Sequence, residues 1–387
     1  PGHQYRGAIK IKREAGNLQP YPWAQGLRGG SRLFWVVERN VQMRKIDVML
    51  NTAARKLVRN ERGGIIGLVA EHQGQSISIR AGKGVILACG GFEHNEEMKR
   101  QYFEAQHVYG VTSIGNTGDG IRMSQEVGAD LWHMWHFHGG YGFKFDDYPV
   151  AFRHTISGPR VEDRIMPWIM VDRFGKRFVN EYQPAPQDTG ARALGYYDPD
   201  LCMYPRIPSY LIFDEDGRLR GPLGIPIFTT ENTERYSWSE DNAAEIERGW
   251  ILKADTLEDL AKAINQRGHA RIEPEQLAAT VRRWNTMVQH HADEDFGRPP
   301  GTMLSIDRPP YYALETWPVV SNTQGGPVHN ARQEILDVNG QPIPGLYAAG
   351  ELGSIFGHLY LEAGNIAECF IGGKIAGQNA ARQQDSH

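Results

Sequence analysis

Two stretches near the C-terminal end concentrate residue types able to do chemistry. Gly345-Leu346-Tyr347-Ala348-Ala349-Gly350-Glu351 is a short apolar run into a small-residue turn that ends in a carboxylate. Gly357-His358-Leu359-Tyr360-Leu361-Glu362-Ala363-Gly364-Asn365 follows it, a second glycine-bearing turn that opens a helix. Small side chains let a ligand reach the backbone, a carboxylate accepts from hydroxyls, and a helix start presents N–H groups without intrahelical partners. The pair suits a flat, polar cofactor.

A similar tip lies earlier. Gly84-Val85-Ile86-Leu87-Ala88-Cys89-Gly90-Gly91-Phe92 reads as a fully buried central strand whose last residues, Ala88, Cys89 and Gly90, leave the backbone open. Asn116-Thr117-Gly118-Asp119-Gly120 then opens a helix expected over 121–127, where free N–H groups beside Asp119 suit a hydroxyl or phosphate. An ordinary N-cap by Thr117 or Asp119 accounts for the same residues. His133, His136 and His138 crowd one stretch, but their spacing matches no zinc pattern, and lining of an aromatic pocket is the expected role.

The elements that must hold these residues follow from periodicity. Helices are expected from Gly29 and over 96–103, 257–265 and 274–290. Strands are expected over 46–50, 52–58, 65–71 with 76–80 as a hairpin, 168–181 as a second hairpin with its turn at 172–175, and 210–214. From about 131 to 315 the texture turns α+β, ending in the Pro-rich segments at Pro299-Pro300 and Pro309-Pro310. The expected organisation is a first α/β part over 1–130, an inserted α+β segment over 131–315 and a second α/β part over 316–387.

A chain of 387 residues, 40% hydrophobic and 23% charged, is long enough for two ordinary globular domains. The net charge of −4 with interspersed signs gives no basic stripe, so no nucleic-acid partner is expected. No apolar run reaches the ~20 residues of a membrane helix, and no membrane association is expected. Cys89, Cys202 and Cys369 form no CxxC, which argues against a disulfide framework or structural metal and for a reducing, cytoplasmic setting.

In order and spacing these pieces resemble the flavoprotein family of fumarate reductases, succinate dehydrogenases and 3-ketosteroid dehydrogenases. The resemblance is carried by Thr52-x-Ala54-x-x-Leu57-Val58, by Ile86 to Phe92 with Asn95, by Asn116 to Ile121, by Gly175-Lys176-Arg177-Phe178-Val179-Asn180-Glu181 and by Ile343 to Glu351. It implies FAD as cofactor and an α/β FAD-binding (Rossmann-like) domain interrupted by an α+β capping domain. Ala54 and the tip of Ala88, Cys89 and Gly90 would face the adenosine half. Asp119 and Glu351, on the turns of Asn116, Gly118 and Gly350, would face ribityl or ribose hydroxyls. Asn365 and Ile366 would face the pyrimidine edge of the ring, where helix N-terminal N–H groups stabilise charge on the reduced flavin.

The family's N-terminal GxGxxG turn should precede these motifs, and no GxGxxG occurs in this sequence. A second polypeptide or an upstream segment supplying that turn is the expected partner, making the chain the larger part of a split or cleaved, heteromeric enzyme. A fragment that has lost tight FAD binding is the alternative. Fumarate reductases use an arginine after the Phe-Val-Asn-Glu signature as proton donor and clamp the dicarboxylate with a histidine and an arginine. Ala185, Asn322 and Tyr360 fall near those positions here. Unpaired buried carboxylates cost several kcal/mol each, so a dicarboxylate substrate is not expected.

Gly357 to Gly364 looks instead like the ketosteroid dehydrogenase turn, in which the Tyr360 hydroxyl and the Gly364 N–H would jointly hold a carbonyl oxygen as an oxyanion hole. His358 would tune Tyr360, and Tyr182 or Asp188 would replace the tyrosine base that the family carries near Ala185. The expected activity is hydride transfer between flavin N5 and the carbon β to the carbonyl of a small molecule, as ketone desaturation or enone reduction. A flavin oxidase or hydroxylase using the same site, and a non-catalytic assembly subunit with a degenerate FAD domain, are the alternatives.

Overall fold

The computed structural model describes residues 29–154, 165–182, 193–225, 236–357 and 364–383. Its backbone divides into two units, Pro1–Ala53 with His72–Gln75 and Ala54–Glu71 with Ser76–His387. In the first, helix α1 (Gly29–Met43) forms where expected. The strand expected at Ile46 to Leu50 does not form: the segment is irregular and Val48 and Leu50 are exposed, because its alternating pattern has no described strand to pair with.

Strands β1 (Thr52–Arg59), β2 (Ile65–His72) and β3 (Gln75–Arg80) form a three-stranded sheet in that order. Strand β4 (Val85–Leu87) pairs in parallel with a late strand at Pro342–Ala348, and with the strand at Glu334–Leu336 they make a second small sheet. The expectation of a buried central strand is corrected here. β4 is the edge of its sheet, and Ile86 is 39% exposed because no described strand covers its other side.

Helix α2 (Glu96–Tyr102) starts at Asn95, whose side chain accepts from the Met98 N–H. Strand β5 (Tyr109–Gly110) and helix α3 (Asp119–Glu126) follow. The expected N-cap by Thr117 or Asp119 is not used: Gly118, in the left-handed region at φ 79°, occupies the cap without a side-chain bond. The first-turn N–H groups of α3 therefore receive no side-chain cap.

After β6 (Leu131–Trp132), a seven-stranded sheet gathers β7 (Phe137–Phe143), β8 (Phe152–Arg153), β9 (Ile169–Val171), β10 (Ser209–Asp214) and β11 (Ile251–Ala254) around β12 (Tyr311–Thr323), with β5 also on β12. The short helices α4 (Glu215–Arg218) and α5 (Ala243–Glu247) precede β11. One apolar core joins Leu260 and Ile264 of α6 (Leu257–Gln266) and Leu277, Val281 and Trp284 of α7 (Pro274–Gln289) to Tyr210 and Ile212 of β10. A second, built of aromatic residues, gathers Phe143, Phe145, Phe152, Trp238 and Trp250.

β12 is the organiser. Its first half pairs with β10 and β11, its second half with β7, and a bulge between Val320 and Asn322 breaks the register just before the strand ends. Bulges re-aim side chains, and this one delivers Asn322 and Thr323 to the loops that follow β4 and Ala348. β13 (Gly326–Pro327) pairs with β6, and the late strands of the small sheet are β14 (Glu334–Leu336) and β15 (Pro342–Ala348). Helix α8 (Gly364–Arg382) packs Ala376 and Ala380 against Tyr347 and Ala349.

Candidate active site

Three loops meet at the end of β12. The loop after β4 is laced to the loop before α3 by Gly118 N–H donating to Gly91 O at 3.0 Å, His94 N–H to Asn116 O at 3.0 Å and Asn95 Nδ2 to Thr117 O at 2.8 Å. The loop after β15 joins them through Ala349 N–H, which donates to Leu87 O at 3.0 Å. Phe92 N–H donates to Thr323 Oγ1 at 3.2 Å, tying the group to β12. Of the expected cofactor residues, Ala88, Cys89, Gly90, Asn116, Gly118, Gly350 and Glu351 lie on these loops, and Asp119 is the first residue of α3.

The glycines are required by space. A Cβ at Gly90 (φ 76°) would lie 2.9 Å from Asn116 Oδ1, and one at Gly118 would lie 2.5 Å from Met98 Sδ. No L-residue fits either position without moving its neighbour. Thr117 Oγ1 donates to Asp119 Oδ1 at 3.1 Å, leaving the second Asp119 oxygen to accept from a ligand.

Carboxylates dominate the electrostatics. The Thr323 N–H donates to both Glu93 Oε1, at 2.9 Å, and Glu351 Oε1, at 3.0 Å. Glu93 is completely buried. Burial, and then the Glu93 carboxyl beside it, push the Glu351 pKa well above the usual carboxylate range. Burial pushes Glu368, on α8, up to about 7, although Ser354 Oγ donates to it at 3.0 Å and Ile355 N–H at 3.3 Å.

Amides supply the neutral polarity. Gln324 is fully buried, and neither its Oε1 nor its Nε2 has a hydrogen-bond partner among the described residues. The same holds for Asn322 Nδ2 and Asn365 Oδ1. A buried amide without a partner costs about 1–3 kcal/mol, which a ligand at this position would recover.

The histidines serve the backbone. His133 Nδ1 lies 3.0 Å from Ser354 O, His329 Nε2 2.8 Å from Gly353 O and His136 Nδ1 3.3 Å from Phe356 O, so three imidazoles hold the segment leading to Gly357. Among the described residues, no group of three or more His, Cys, Asp or Glu is placed to hold a metal ion.

The Gly175 to Glu181 motif has a structural role in this fold. Arg177 donates to Glu181 Oε1 and Oε2, each at 2.8 Å, and to Asp293 at 2.8 and 2.7 Å. Burial opposes the Arg177 charge, but the two carboxylates outweigh it and hold its pKa above the ordinary value.

Ala54, half-buried on β1, packs into the apolar core beneath the loops, while Tyr182 packs into the aromatic core with Tyr141 and Trp168. Gly364 sits against the Phe356 ring, Asn365 opens α8, and Ile366 is 52% exposed. His358, Tyr360, Ala185 and Asp188 lie outside the described residues. Sequence reasoning missed Glu93, Thr323, Gln324 and Glu368. The only signal for Glu93 was its place between the glycine tip motif and Asn95.

A family model described as FAD binding domain matches residues 4–366. Among curated proteins, urocanate reductase of Eggerthella lenta is 29% identical over 371 residues, covering 92% of this chain and 54% of that protein. A 3-oxosteroid 1-dehydrogenase of Mycobacterium tuberculosis is 29% identical over 395 residues, covering 92% and 63%. The chain thus spans between half and two thirds of the length of these relatives. Among solved structures, the 3-ketosteroid Δ1-dehydrogenase of Sterolibacterium denitrificans superposes with a TM-score of 0.73 at 23% identity, covering 97% of this chain and 69% of that one. The open conformation of a flavocytochrome c3 fumarate reductase gives 0.62 at 27% identity, covering 92% and 57%.

Proposed function

The chain belongs to the FAD binding domain family, and on that premise we propose that it is the larger part of an FAD-dependent oxidoreductase that interconverts a ketone and its α,β-unsaturated counterpart. The loop cluster fits the hydroxyl and ring portions of the cofactor. Asp119 and Glu351 are acceptors for hydroxyls, Gly90 and Gly118 leave no room for a Cβ, and the Gln324 and Asn365 amides have unmet hydrogen-bonding capacity. When bound, FAD supplies a two-electron carrier that exchanges a hydride with a substrate carbon.

The diphosphate portion calls for a GxGxxG turn from a second polypeptide or an upstream segment. The open edge of β4 and the exposed Ile366, Phe370 and Ile371 of α8 support such a cover, because an unpaired strand edge and grouped large apolar side chains are ordinarily covered by another element. The segment 131–315 acts as the cap that excludes water from the substrate. The Tyr360 hydroxyl and the Gly364 N–H hold the carbonyl oxygen, His358 tunes Tyr360, and Tyr182 is the candidate base.

The observation that carries the substrate class is the pair of buried amides at and just beyond the end of β12. Asn322, which falls near the clamping histidine of the resemblance, and Gln324 are buried amides with atoms unpaired among the described residues, neutral groups suited to a carbonyl rather than to a dicarboxylate. The relatives named as urocanate reductase and 3-oxosteroid 1-dehydrogenase support chemistry at C=C and CH–CH bonds. The test is the rate of reduced-flavin oxidation by a cyclic enone in wild type and Tyr360→Phe. Loss of one oxyanion-hole donor should slow it by about 10²–10³, and an unchanged rate at saturating enone removes Tyr360 from the chemistry.

A further inference from the structure

We propose that Glu93, as a positioning residue behind Glu351, forms with it one acid–carboxylate pair that shares a proton and carries a single negative charge. It rests on the reading above, in which Glu351 faces the cofactor. Both Oε1 atoms accept from one backbone N–H, that of Thr323, at 2.9 and 3.0 Å. A Cβ built at Gly91 would lie 3.1 Å from one of these oxygens and 3.2 Å from the other, so the two carboxyl groups converge on the same point. Two ionised carboxylates that share a donor repel each other; a proton between them turns the repulsion into a short, charge-assisted hydrogen bond.

The charged surroundings leave that proton in place. Glu368 of α8 is a third carboxyl acting on Glu351 and adds to the repulsion. His94 faces the Thr112 carbonyl, and burial lowers its pKa, disfavouring its charged form. Lys99 of α2 is committed to Glu96 at 2.6 Å and to Val108 O at 2.7 Å. Among the described residues, no cation bonds to either member of the pair.

Glu93 is completely buried, whereas Glu351 is partly accessible at the loop surface. Glu93 Oε2 is buried without a hydrogen-bond partner among the described residues, and the shared proton belongs to the pair rather than to either carboxyl alone. The cofactor-facing residue keeps one oxygen free to accept from a ligand hydroxyl, and its orientation is fixed from behind. In Glu93→Gln the amide would donate to Glu351 instead, leaving Glu351 ionised.

The experiment is infrared difference spectroscopy in H2O and D2O on the full chain without FAD, at mildly alkaline pH where other carboxyls are ionised. The carboxylic-acid C=O stretch of one protonated glutamate is expected in wild type, shifting in D2O. It should vanish in Glu93→Gln and Glu351→Gln and persist in Glu368→Gln. Absence of the band in wild type, or its survival in Glu93→Gln, overturns the proposal. Wild type alone suffices for the first of these outcomes, so it does not depend on a variant that folds. FAD binding is scored separately by titration, so failure of the cofactor reading leaves the band intact and loss of the band leaves that reading standing.

Discussion

Replacing Arg177 by methionine tests what the Gly175 to Glu181 motif does. The Arg177 side chain is 4% exposed and those of Glu181 and Asp293 are 0% exposed. Four hydrogen bonds of 2.7 to 2.8 Å join them. Methionine fills most of the volume but leaves two buried carboxylates, of which, among the described residues, only Glu181 retains a cation, Arg298 at 3.4 Å. Removing one partner of a buried pair costs about 3–5 kcal/mol, and the guanidinium stacked over Trp284, 4.7 Å from the ring centre, contributes to the upper end. Urea unfolding at neutral pH is the assay. Arg282→Met, which breaks an exposed pair with Glu275, is the control and should cost under about 1 kcal/mol. Arg177 contributes to holding the folded pKa of Asp293 below its ordinary value, so wild-type stability from this carboxylate is present above the unfolded pKa and lost as pH falls through the folded one. The Arg177→Met deficit should therefore shrink toward acid pH, and Arg177→Met with Asp293→Leu should recover part of it. A loss no larger than that of the control, or no recovery in the double variant, refutes the account.

Glu368 holds a proton in the folded state up to about pH 7, against an ordinary value of 4.5. Its folded pKa is raised, so stability falls as pH rises from 4.5 to 7. The full shift corresponds to about 3 kcal/mol, reduced to roughly 1–2 by partial solvent screening. Glu368→Gln should flatten the unfolding free energy across that window, and an unchanged slope in urea titrations would contradict the assignment. Gly118→Val forces a β-branched residue to φ 79° with its Cβ against Met98, and should weaken FAD binding roughly tenfold or more, read by fluorescence titration. Equal affinity would remove the α3 entry from the cofactor site.

Much of the fold was legible. The periodicity of 257–265 and 274–290 yielded α6 and α7 nearly to their ends, and the turn at Asp172 to Gly175 formed as its residues require. The return arm of the expected hairpin makes only a single bridge among the described residues, Arg177 to Val171, because its motif is engaged in the Arg177 ion pairs. Two strands misled because local pattern says nothing about partners. Ile46 to Leu50 alternates without a described neighbour, and β4 has the apolar run of a central strand but lies at a sheet edge. β12 was hidden by the Pro-rich run before it and by Pro318 within it, which nevertheless pairs with Tyr141. The glycine and carboxylate motifs announced the cofactor loops because their residue types are themselves the constraint. Glu93 and Gln324 did not stand out, since a glutamate beside a turn or a glutamine before two glycines ordinarily faces solvent. Their burial comes from the end of β12, with Thr323 lying 230 residues along the chain from Glu93.

The most direct measurement is anaerobic oxidation of flavin bound to this chain, with a GxGxxG-bearing segment supplied if the chain alone does not retain it. The account predicts that FAD binds in equimolar amount, is bleached by dithionite, and is reoxidised stoichiometrically by a cyclic enone while fumarate leaves it reduced. Failure to bind FAD with that segment present, or reoxidation by fumarate and not by the enone, would contradict it.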